Sequence, residues 1–256
     1  MYAAPNGVVL SGRHRQARDR TGTGLKACLG IPMGRVGSQA ARKWYAYFMA
    51  ASHQTFLIPT GGIPGMALQL PRLNRRSPDW FYDLCQANGD LQLEQTAEGE
   101  IIVMAPAGFE SGDRESEALY QLRHWAKREG SGRALGSNTG FRLPNGATRA
   151  PDASWVRNRR LSELDPGQLR KFAPICPDFV IEIVSPSDRL PKLQAKMEEY
   201  LANGVRLGWL IDPDKRKVYV YRPGKKVQCR SGIRQISASP ELPGFVLKLA
   251  EIWQPF

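Results

Sequence analysis

The sequence predicts a mixed α/β fold, in which helices pack on a central mixed β-sheet. Three observations support this prediction. After a first hairpin, helical and strand patterns alternate along the chain, which is typical of a sheet covered by helices. The hydrophobic fraction of 42% and the charged fraction of 23% are those of a globular protein. The stretch "PDFVIEIVSPSD", residues 177–188, is apolar enough to form a strand that is buried on both faces.

The composition of the chain changes at about residue 65. Residues 1–65 hold eight Lys and Arg but one Asp, are rich in Gly and lack sustained periodicity. This composition predicts a disordered basic extension. Two interpretations are open, a nucleic-acid-binding arm or upstream sequence included through a misassigned start codon. We favour the second, because fold signals begin directly after Met66, and we expect residues 66–256 to form a single domain.

The first elements after Met66 are a short helix and a hairpin. In "SPDWFYDLCQANG", Ser77 is placed to cap a helix, Pro78 suits its first position and Gly89 ends it. The segments "LQLEQ" and "EIIVM" flank "TAEG", which predicts a hairpin. A longer helix is expected within residues 108–130, and short strands follow it, with "PNGA" as a tight turn.

The second half of the chain contains further alternating elements. After the strand in residues 177–188, "RLPKLQAKMEEYLANG" predicts an amphipathic helix that ends at Asn203 and Gly204. Two strands are expected around a turn at residues 212–215, and a last strand is expected in "GFVLKLAEIW". Together these elements supply the strands and helices of the predicted sheet.

Several classes of protein are disfavoured by the sequence. The four cysteines are far apart and form no CxxC pair, which argues against a zinc site or a disulfide framework and suits a reducing cytoplasm. No apolar run reaches the roughly 18 residues that a membrane span needs. The net charge of +12 suggests nucleic acid as a partner, but residues 66–256 carry 28 Lys and Arg against 23 Asp and Glu. Polyanion binding must therefore be argued from a site.

Glu182 lies in the middle of the apolar strand. Alternation along the strand places Val180, Glu182 and Val184 on one face. A carboxylate in an apolar setting costs several kcal/mol unless it is paired. One interpretation is structural, either pairing with a buried Arg or a hydrogen bond to a helix, and the other, which we favour, is a role as metal ligand or catalytic acid.

Two more acids and a lysine accompany Glu182 in the predicted fold. Asp152 follows Pro151 and begins a strand, and a glutamate of the helix in residues 108–130 precedes both acids. Carboxylates from neighbouring strands suit Mg²⁺, which binds oxygen ligands. Helical periodicity leaves Glu115 and Glu117 as alternatives for the helix acid. Lys196 borders the apolar face of its helix, so it is either a catalytic cation near the acids or a surface lysine whose stem covers apolar area.

The amino-acid sequences of several segments resemble those of a known family. The segments are "LEQTAEGEIIVMAPAG", "LGSNTGFRLPNGATRAPDASWV", "CPDFVIEIVSPSD", "KMEEYLANGVRLGWLIDP" and "LPGFVLKLAEIW". They resemble the Uma-type endonuclease-like proteins of the PD-(D/E)XK nuclease superfamily, and the resemblance covers roughly residues 70–256. It implies a restriction-endonuclease-like core and a Mg²⁺-dependent phosphodiesterase site, at which Mn²⁺ is a possible substitute.

The resemblance also implies roles for individual residues. The "PD" of the superfamily motif corresponds to Pro151 and Asp152, and its second acid corresponds to Glu182. The motif lysine would stand two residues later, where this chain has Val184. The family uses a lysine of the following helix, which corresponds to Lys196 here. The helix acid corresponds to Glu117, so the implied metal ligands are Asp152, Glu182 and Glu117.

The sequence therefore predicts a cytoplasmic DNA endonuclease. Lys196 would orient the attacking water or steady the phosphate. Related nucleases often pair to cut both strands, so a homodimer is compatible with this prediction. Alternatives are a catalytically degenerate DNA-binding relative, because of Val184, and a glycosidase with paired carboxylates, which we rank low. Candidate contacts to the DNA backbone are Arg142, Arg149, Arg157, Arg159 and Arg160.

Overall fold

The structure, a computed structural model, describes residues 9–10, 54–60, 63–70 and 77–255. Most of the expected basic extension, residues 1–65, lies outside the described residues, so its disorder and its origin remain predictions. The described residues divide into two compact units, one within residues 8–104 and one within residues 105–256.

Within the unit of residues 8–104, the described residues form antiparallel strand pairs and one helix. Its elements are β1 (Val9–Leu10), β2 (Gln54–Thr60), β3 (Ile63–Leu70), α1 (Trp80–Ala87), β4 (Gln92–Gln95) and β5 (Ile101–Met104). Antiparallel pairs form between β2 and β3, between β4 and β5, and between β1 and β5. The pair of β2 and β3 runs across residue 66, where the sequence suggests that the folded region begins.

The structure contains both elements that the sequence predicts within residues 77–104, a short helix and a hairpin. The β4–β5 hairpin is the predicted one, and Gly99 takes a φ of 85° in its turn, a conformation that glycine adopts without a steric penalty. Helix α1 begins three residues after the expected cap. Ser77 is not its N-cap, because its hydroxyl accepts a hydrogen bond from the Asp79 backbone in the turn that precedes the helix.

The unit of residues 105–256 begins with a long helix and a series of strands. These elements are α2 (Phe109–Glu129), β6 (Gly132–Gly136), β7 (Phe141–Arg142), β8 (Thr148–Arg149) and β9 (Ala153–Arg157). Helix α2 ends at Gly130, which adopts the left-handed conformation with a φ of 82°, as is common after the last helical turn.

The remaining elements complete the sheet and cover it. They are α3 (Asn158–Leu161), α4 (Pro166–Leu169), β10 (Phe179–Ile183), α5 (Leu190–Ala202), β11 (Leu207–Asp212), β12 (Lys217–Tyr221), β13 (Gln228–Ser231), β14 (Gln235–Ser237), β15 (Val246–Lys248) and α6 (Ala250–Trp253). The expected last strand at residues 244–253 is only partly correct, because β15 ends at Lys248 and α6 follows.

Six strands form a mixed sheet in the order β13-β12-β11-β10-β9-β6. Strands β10 and β11 are parallel, and the other neighbours in this sheet are antiparallel. The parallel step is possible because α5 connects β10 to β11, as a crossover between parallel strands requires. The mixed α/β fold with a central mixed sheet is therefore confirmed.

Helices cover both faces of this sheet, and β10 contributes to both cores. Phe179, Ile181 and Ile183 belong to the apolar cluster under α2. Val180 belongs to the cluster under α5, together with Met197 and Tyr200 of that helix. All five residues of β10 are buried, so the prediction of a strand buried on both faces is confirmed.

No helix in the described part of the chain is both long and apolar enough to cross a membrane.

Candidate active site

Asp152 and Glu182 lie at the same end of the six-stranded sheet. Ile181 of β10 is paired with Ala153 of β9 in antiparallel register. This register places Asp152, which precedes β9, beside the last residues of β10. The backbone N–H of Ile183 donates a hydrogen bond of 2.6 Å to Asp152 Oδ2. The aspartate is thus anchored by the peptide group that follows Glu182.

Helix α5 supplies two polar contacts to Glu182. Glu182 is 3% exposed, and the Nζ of Lys196 lies 2.9 Å from its Oε1. The hydroxyl of Tyr200 donates to the same oxygen at 3.0 Å. Lys196 and Tyr200 are four residues apart, so they are neighbours on one face of the helix. Lys196 therefore lies beside one of the predicted acids, as the first of its two interpretations requires.

The pKa of Asp152 is raised by its burial and by the carboxylates near it. Burial is the main cause that raises the pKa of Asp152, and the charges of Glu182 and Glu115 raise it further. Lys196 and the hydrogen bond from Ile183 act in the opposite direction without cancelling the rise. Three carboxyl groups therefore interact around Asp152 beside one lysine.

Glu115 and Glu117 have different surroundings on α2. The pKa of Glu115 is raised, mainly by burial, and Ser137 donates a hydrogen bond to its carboxylate. Glu117 instead accepts a hydrogen bond of 2.7 Å from Gln121, whose amide also contacts the backbone of Lys248. Of the two acids, Glu115 is the one whose charge interacts with that of Asp152.

The site offers two well-placed carboxylates rather than a complete set of metal ligands. Among the described residues, no group of three or more His, Cys, Asp or Glu side chains is arranged to hold a metal ion. Mg²⁺ usually keeps several waters and needs one or two carboxylates together with substrate phosphate oxygens. Asp152 and Glu182 fit that requirement by the chemistry of their donors, because both are carboxylates at the same end of the sheet.

The five arginines proposed to contact DNA are placed in several different environments. Arg149 forms an ion pair with Glu199. Arg160 lies 3.2 Å from Asp178 Oδ2, and the Nε of Arg157 lies 3.9 Å from Oδ1 of the same residue. Arg159 is exposed and Arg142 is half-buried on β7. Arg149, Arg157 and Arg160 thus have protein carboxylates as partners.

Tyr200 and Glu115 are the residues of this site that the sequence did not assign. Tyr200 was part of the apolar stripe of its helix, and nothing in the stripe indicates where its hydroxyl points. A signal for Glu115 does exist in the sequence. It precedes Leu122 by seven residues, which is about two helical turns, so the two side chains share the buried face of α2.

Comparison with known proteins identifies a family. The model of the Uma2 family, described as "Putative restriction endonuclease", matches residues 78–250, which is more than half of the chain. No curated protein matches the chain. The chain is also similar to the crystal structure of "a putative nuclease belonging to DUF820" from Anabaena variabilis ATCC 29413. The TM-score is 0.54, the identity is 23%, and the match covers 63% of this chain and 89% of the other.

The two comparisons support different conclusions. At 23% identity the similarity of structure shows the fold alone, and it agrees with the mixed sheet and its covering helices. The family model spans α1 to the start of α6 and includes Asp152, Glu182 and Lys196. The resemblance noted in the sequence is confirmed, and the chain belongs to the Uma2 family.

Proposed function

We propose that the protein is a Mg²⁺-dependent DNA endonuclease whose active site contains Asp152, Glu182 and Lys196. The observation that carries this proposal is the contact of Lys196 with Glu182 at 2.9 Å, beside an aspartate anchored on the same strand end. The family provides further support, because its model is described as "Putative restriction endonuclease".

Asp152 and Glu182 would hold the metal in this proposal, and Mn²⁺ would serve as a substitute. A divalent ion bound there would neutralise charge on the scissile phosphate and activate a water. Lys196 and Tyr200 both contact Glu182 Oε1, so they orient the carboxylate. The ammonium group of Lys196 also brings a positive charge to the site, where it would steady the phosphate or orient the attacking water.

The identity of the helix acid is a separate question within this proposal. The family resemblance implies Glu117, whereas the charge of Glu115 interacts with that of Asp152. We expect Glu115→Ala to lower cleavage more than Glu117→Ala, because Glu117 already has Gln121 as its hydrogen-bond partner. The reverse order would restore Glu117 as the helix acid.

A plasmid cleavage assay tests the proposal. Supercoiled DNA is incubated with Mg²⁺ or Mn²⁺ and with the wild type, Asp152→Ala, Glu182→Ala or Glu198→Ala. Glu198 is an exposed glutamate of α5 and provides the matched control. The wild type and the control should cut, and the two site variants should lose at least about a hundredfold, because the metal's contribution of several kcal/mol corresponds to that factor or more.

A second candidate function is a DNA-binding relative that does not cut. Val184 stands where the motif lysine is expected, and the described residues show no set of three metal-ligating side chains. DNA retention by the wild type without cutting in either metal would favour this candidate. Cutting that persists in folded Asp152→Ala and Glu182→Ala would contradict the assignment of the active site to these two acids.

A further inference from the structure

The positive charge of the described residues is concentrated in one segment. Residues 213–234 contain eight Lys and Arg and one acid, Asp214. Residues 66–256 as a whole contain 28 Lys and Arg and 23 Asp and Glu, so the rest of this region is nearly balanced in charge. The segment comprises β12, β13 and the turns around them, at the edge of the six-stranded sheet.

The segment has two basic turns, and the strand register places them at opposite ends of the sheet. Ile183 of β10 is paired with Ile211 of β11, and Asp212 is paired with Lys217 of β12. The turn between β11 and β12 therefore lies at the sheet end that carries Glu182 and Asp152. We call residues 213–217 the proximal turn. The turn that contains Lys225 and Lys226 joins β12 to β13 at the other end.

The proximal turn is within reach of a nucleic acid bound at the candidate active site. Strands β10 and β12 are separated by β11, so they are about 10 Å apart at a spacing of about 4.8 Å per strand. Nucleotides of one DNA strand rise by about 3.4 Å each. A backbone with one phosphate at Glu182 and Asp152 would therefore extend past the proximal turn within a few nucleotides.

The proximal turn is held in place by several hydrogen bonds. The Lys215 backbone N–H donates to Asp212 Oδ1 at 3.1 Å, and its Nζ lies 3.0 Å from Oδ2. Arg216 N–H donates to the carbonyl of Pro213 at 3.0 Å, and the carbonyl of Arg216 accepts from Gly232 at 2.9 Å. The backbone that carries the Arg216 and Lys217 side chains is thus preorganised.

Arg216 occupies a backbone conformation that disfavours its residue type. Its φ is 47°, and no other non-glycine residue among those described has a positive φ. Glycine or asparagine adopts this conformation at lower cost. Strained residues tend to occur where function requires a particular side chain. Arg216 is exposed, and neither it nor Lys217 forms an ion pair within the described residues.

We propose that Arg216 and Lys217 bind the phosphate backbone of a DNA duplex next to the scissile phosphate. This inference rests on the proposed function and adds to it the surface that positions the substrate. It also distinguishes the proximal turn from Arg157 and Arg160, which neutralise Asp178 at the opposite sheet end. Arg216 and Lys217 would act as positioning residues without touching the reacting atoms.

The test compares two double variants with equal changes in charge. Arg216→Ala/Lys217→Ala alters the proximal turn, and Lys225→Ala/Lys226→Ala alters the other turn of the same strands. Binding of a fluorescent 30-base-pair duplex is measured by anisotropy in EDTA at a series of KCl concentrations. The first variant should bind about tenfold more weakly near 0.1 M salt, and its salt dependence should decrease by one to two units of slope. The second should remain within about twofold of the wild type.

The possible results separate this inference from the proposed function. Equal weakening in both variants, or wild-type binding by Arg216→Ala/Lys217→Ala, would overturn the inference even if the wild type cuts DNA. A wild type that neither binds nor cuts any duplex would contradict the proposed function and the inference together.

Two single variants at Arg216 distinguish the effect of the side-chain charge on DNA binding from the effect of the backbone strain on stability. Arg216→Lys keeps the charge at the same φ and should retain binding within about threefold. Arg216→Gly removes both the charge and the strain, so binding should weaken several-fold while Tm stays equal or rises. A lower Tm with unchanged binding in Arg216→Gly would mean that Arg216 serves the turn rather than the DNA.

Discussion

Two buried carboxylates at opposite ends of β10 have contrasting surroundings. Asp178, at the start of the strand, is 2% exposed and interacts with Arg157, Arg160 and the backbone N–H of Arg157. Glu182, near the other end, is 3% exposed and contacts the ammonium group of Lys196 and the hydroxyl of Tyr200. At the first end, two cations therefore interact with one acid. At the second end, Lys196 contacts Glu182, and the charges of Glu182 and Glu115 both raise the pKa of Asp152.

This contrast indicates which carboxylate is structural. The negative charge of Asp178 is fully compensated, because two arginines interact with it. The hydrogen bond that it accepts from the backbone N–H of Arg157 fixes the start of β10 beside β9. The charge around Glu182 and Asp152 would be offset by a bound cation. A buried charge is costly without such compensation, so the difference between the two ends supports the proposed metal site at the Glu182 end.

The largest expected effect comes from removing the cation at the Glu182 end. Lys196→Met should lower the free energy of unfolding by about 3 kcal/mol in EDTA, because it leaves Glu182 buried and without its ion-pair partner. Lys196→Met/Glu182→Gln should recover most of that loss. Urea denaturation measures both. Equal stability of Lys196→Met and the wild type would show that the ion pair is not needed to stabilise Glu182.

A somewhat smaller loss is expected at the opposite end. Asp178→Asn should destabilise the protein by about 2 kcal/mol, in the range for hydrogen bonds to charged groups. The folded variant should keep the cleavage rate of the wild type, because Asp178 is at the far end of the sheet from Asp152. Cleavage assays and urea denaturation on the same preparation test this. A selective loss of cleavage with intact stability would reverse the contrast between the two ends.

The hydroxyl of Tyr200 is expected to influence cleavage more than folding. Tyr200→Phe removes one donor to Glu182 Oε1 while Lys196 remains in place. We expect about a tenfold loss of cleavage at low Mg²⁺, equivalent to about 1.4 kcal/mol, and recovery as Mg²⁺ is raised. Tyr219→Phe, on β12 of the same sheet, is the matched control. A loss that does not depend on Mg²⁺ would argue against a role in orienting a metal ligand.

The smallest expected effect is a gain in stability. Burial and two carboxylates raise the pKa of Asp152, so its ionised form destabilises the metal-free folded protein. Asp152→Asn should raise Tm in EDTA at pH 7 by about 2–4 °C, which corresponds to about 1 kcal/mol. Asp214→Asn, in an exposed turn, should leave Tm unchanged.

The sign of the pH dependence follows from the direction of this pKa. The penalty is absent below the unfolded-state pKa of about 3.9 and grows as the pH rises towards the higher folded-state value. The advantage of Asp152→Asn over the wild type should therefore shrink towards pH 4. A lower Tm for the variant than for the wild type at pH 7 would show that the ionised Asp152 carboxylate does not destabilise the metal-free protein.

Local patterns predicted the strand of the site but not all of its contacts. Apolar residues on both sides of Glu182 marked β10 as a buried strand, and the helical wheel placed Lys196 at the edge of the buried face of α5. Helix α6 was missed, because a run of apolar residues does not distinguish a short strand from a helical turn. The spacing of seven residues between Glu115 and Leu122 places the two side chains on one face of α2 and favours Glu115 as the helix acid.

Long-range pairings could not be predicted from one sequence. Arg149 and Glu199 are 50 residues apart, and Arg160 and Asp178 are 18 apart. Their pairing depends on the order of the strands and on the packing of α5, which no local pattern specifies. The same holds for the hydroxyl of Tyr200, whose position depends on how α5 lies across β10.

Asp152 and Glu182 are proposed to hold a divalent cation. Anomalous diffraction from crystals soaked in Mn²⁺, at a concentration that supports cleavage, tests this proposal most directly. If Asp152 and Glu182 bind the metal, a peak is expected about 2.1 Å from a carboxylate oxygen of each residue. A peak elsewhere, or none between these two carboxylates, would contradict the proposal.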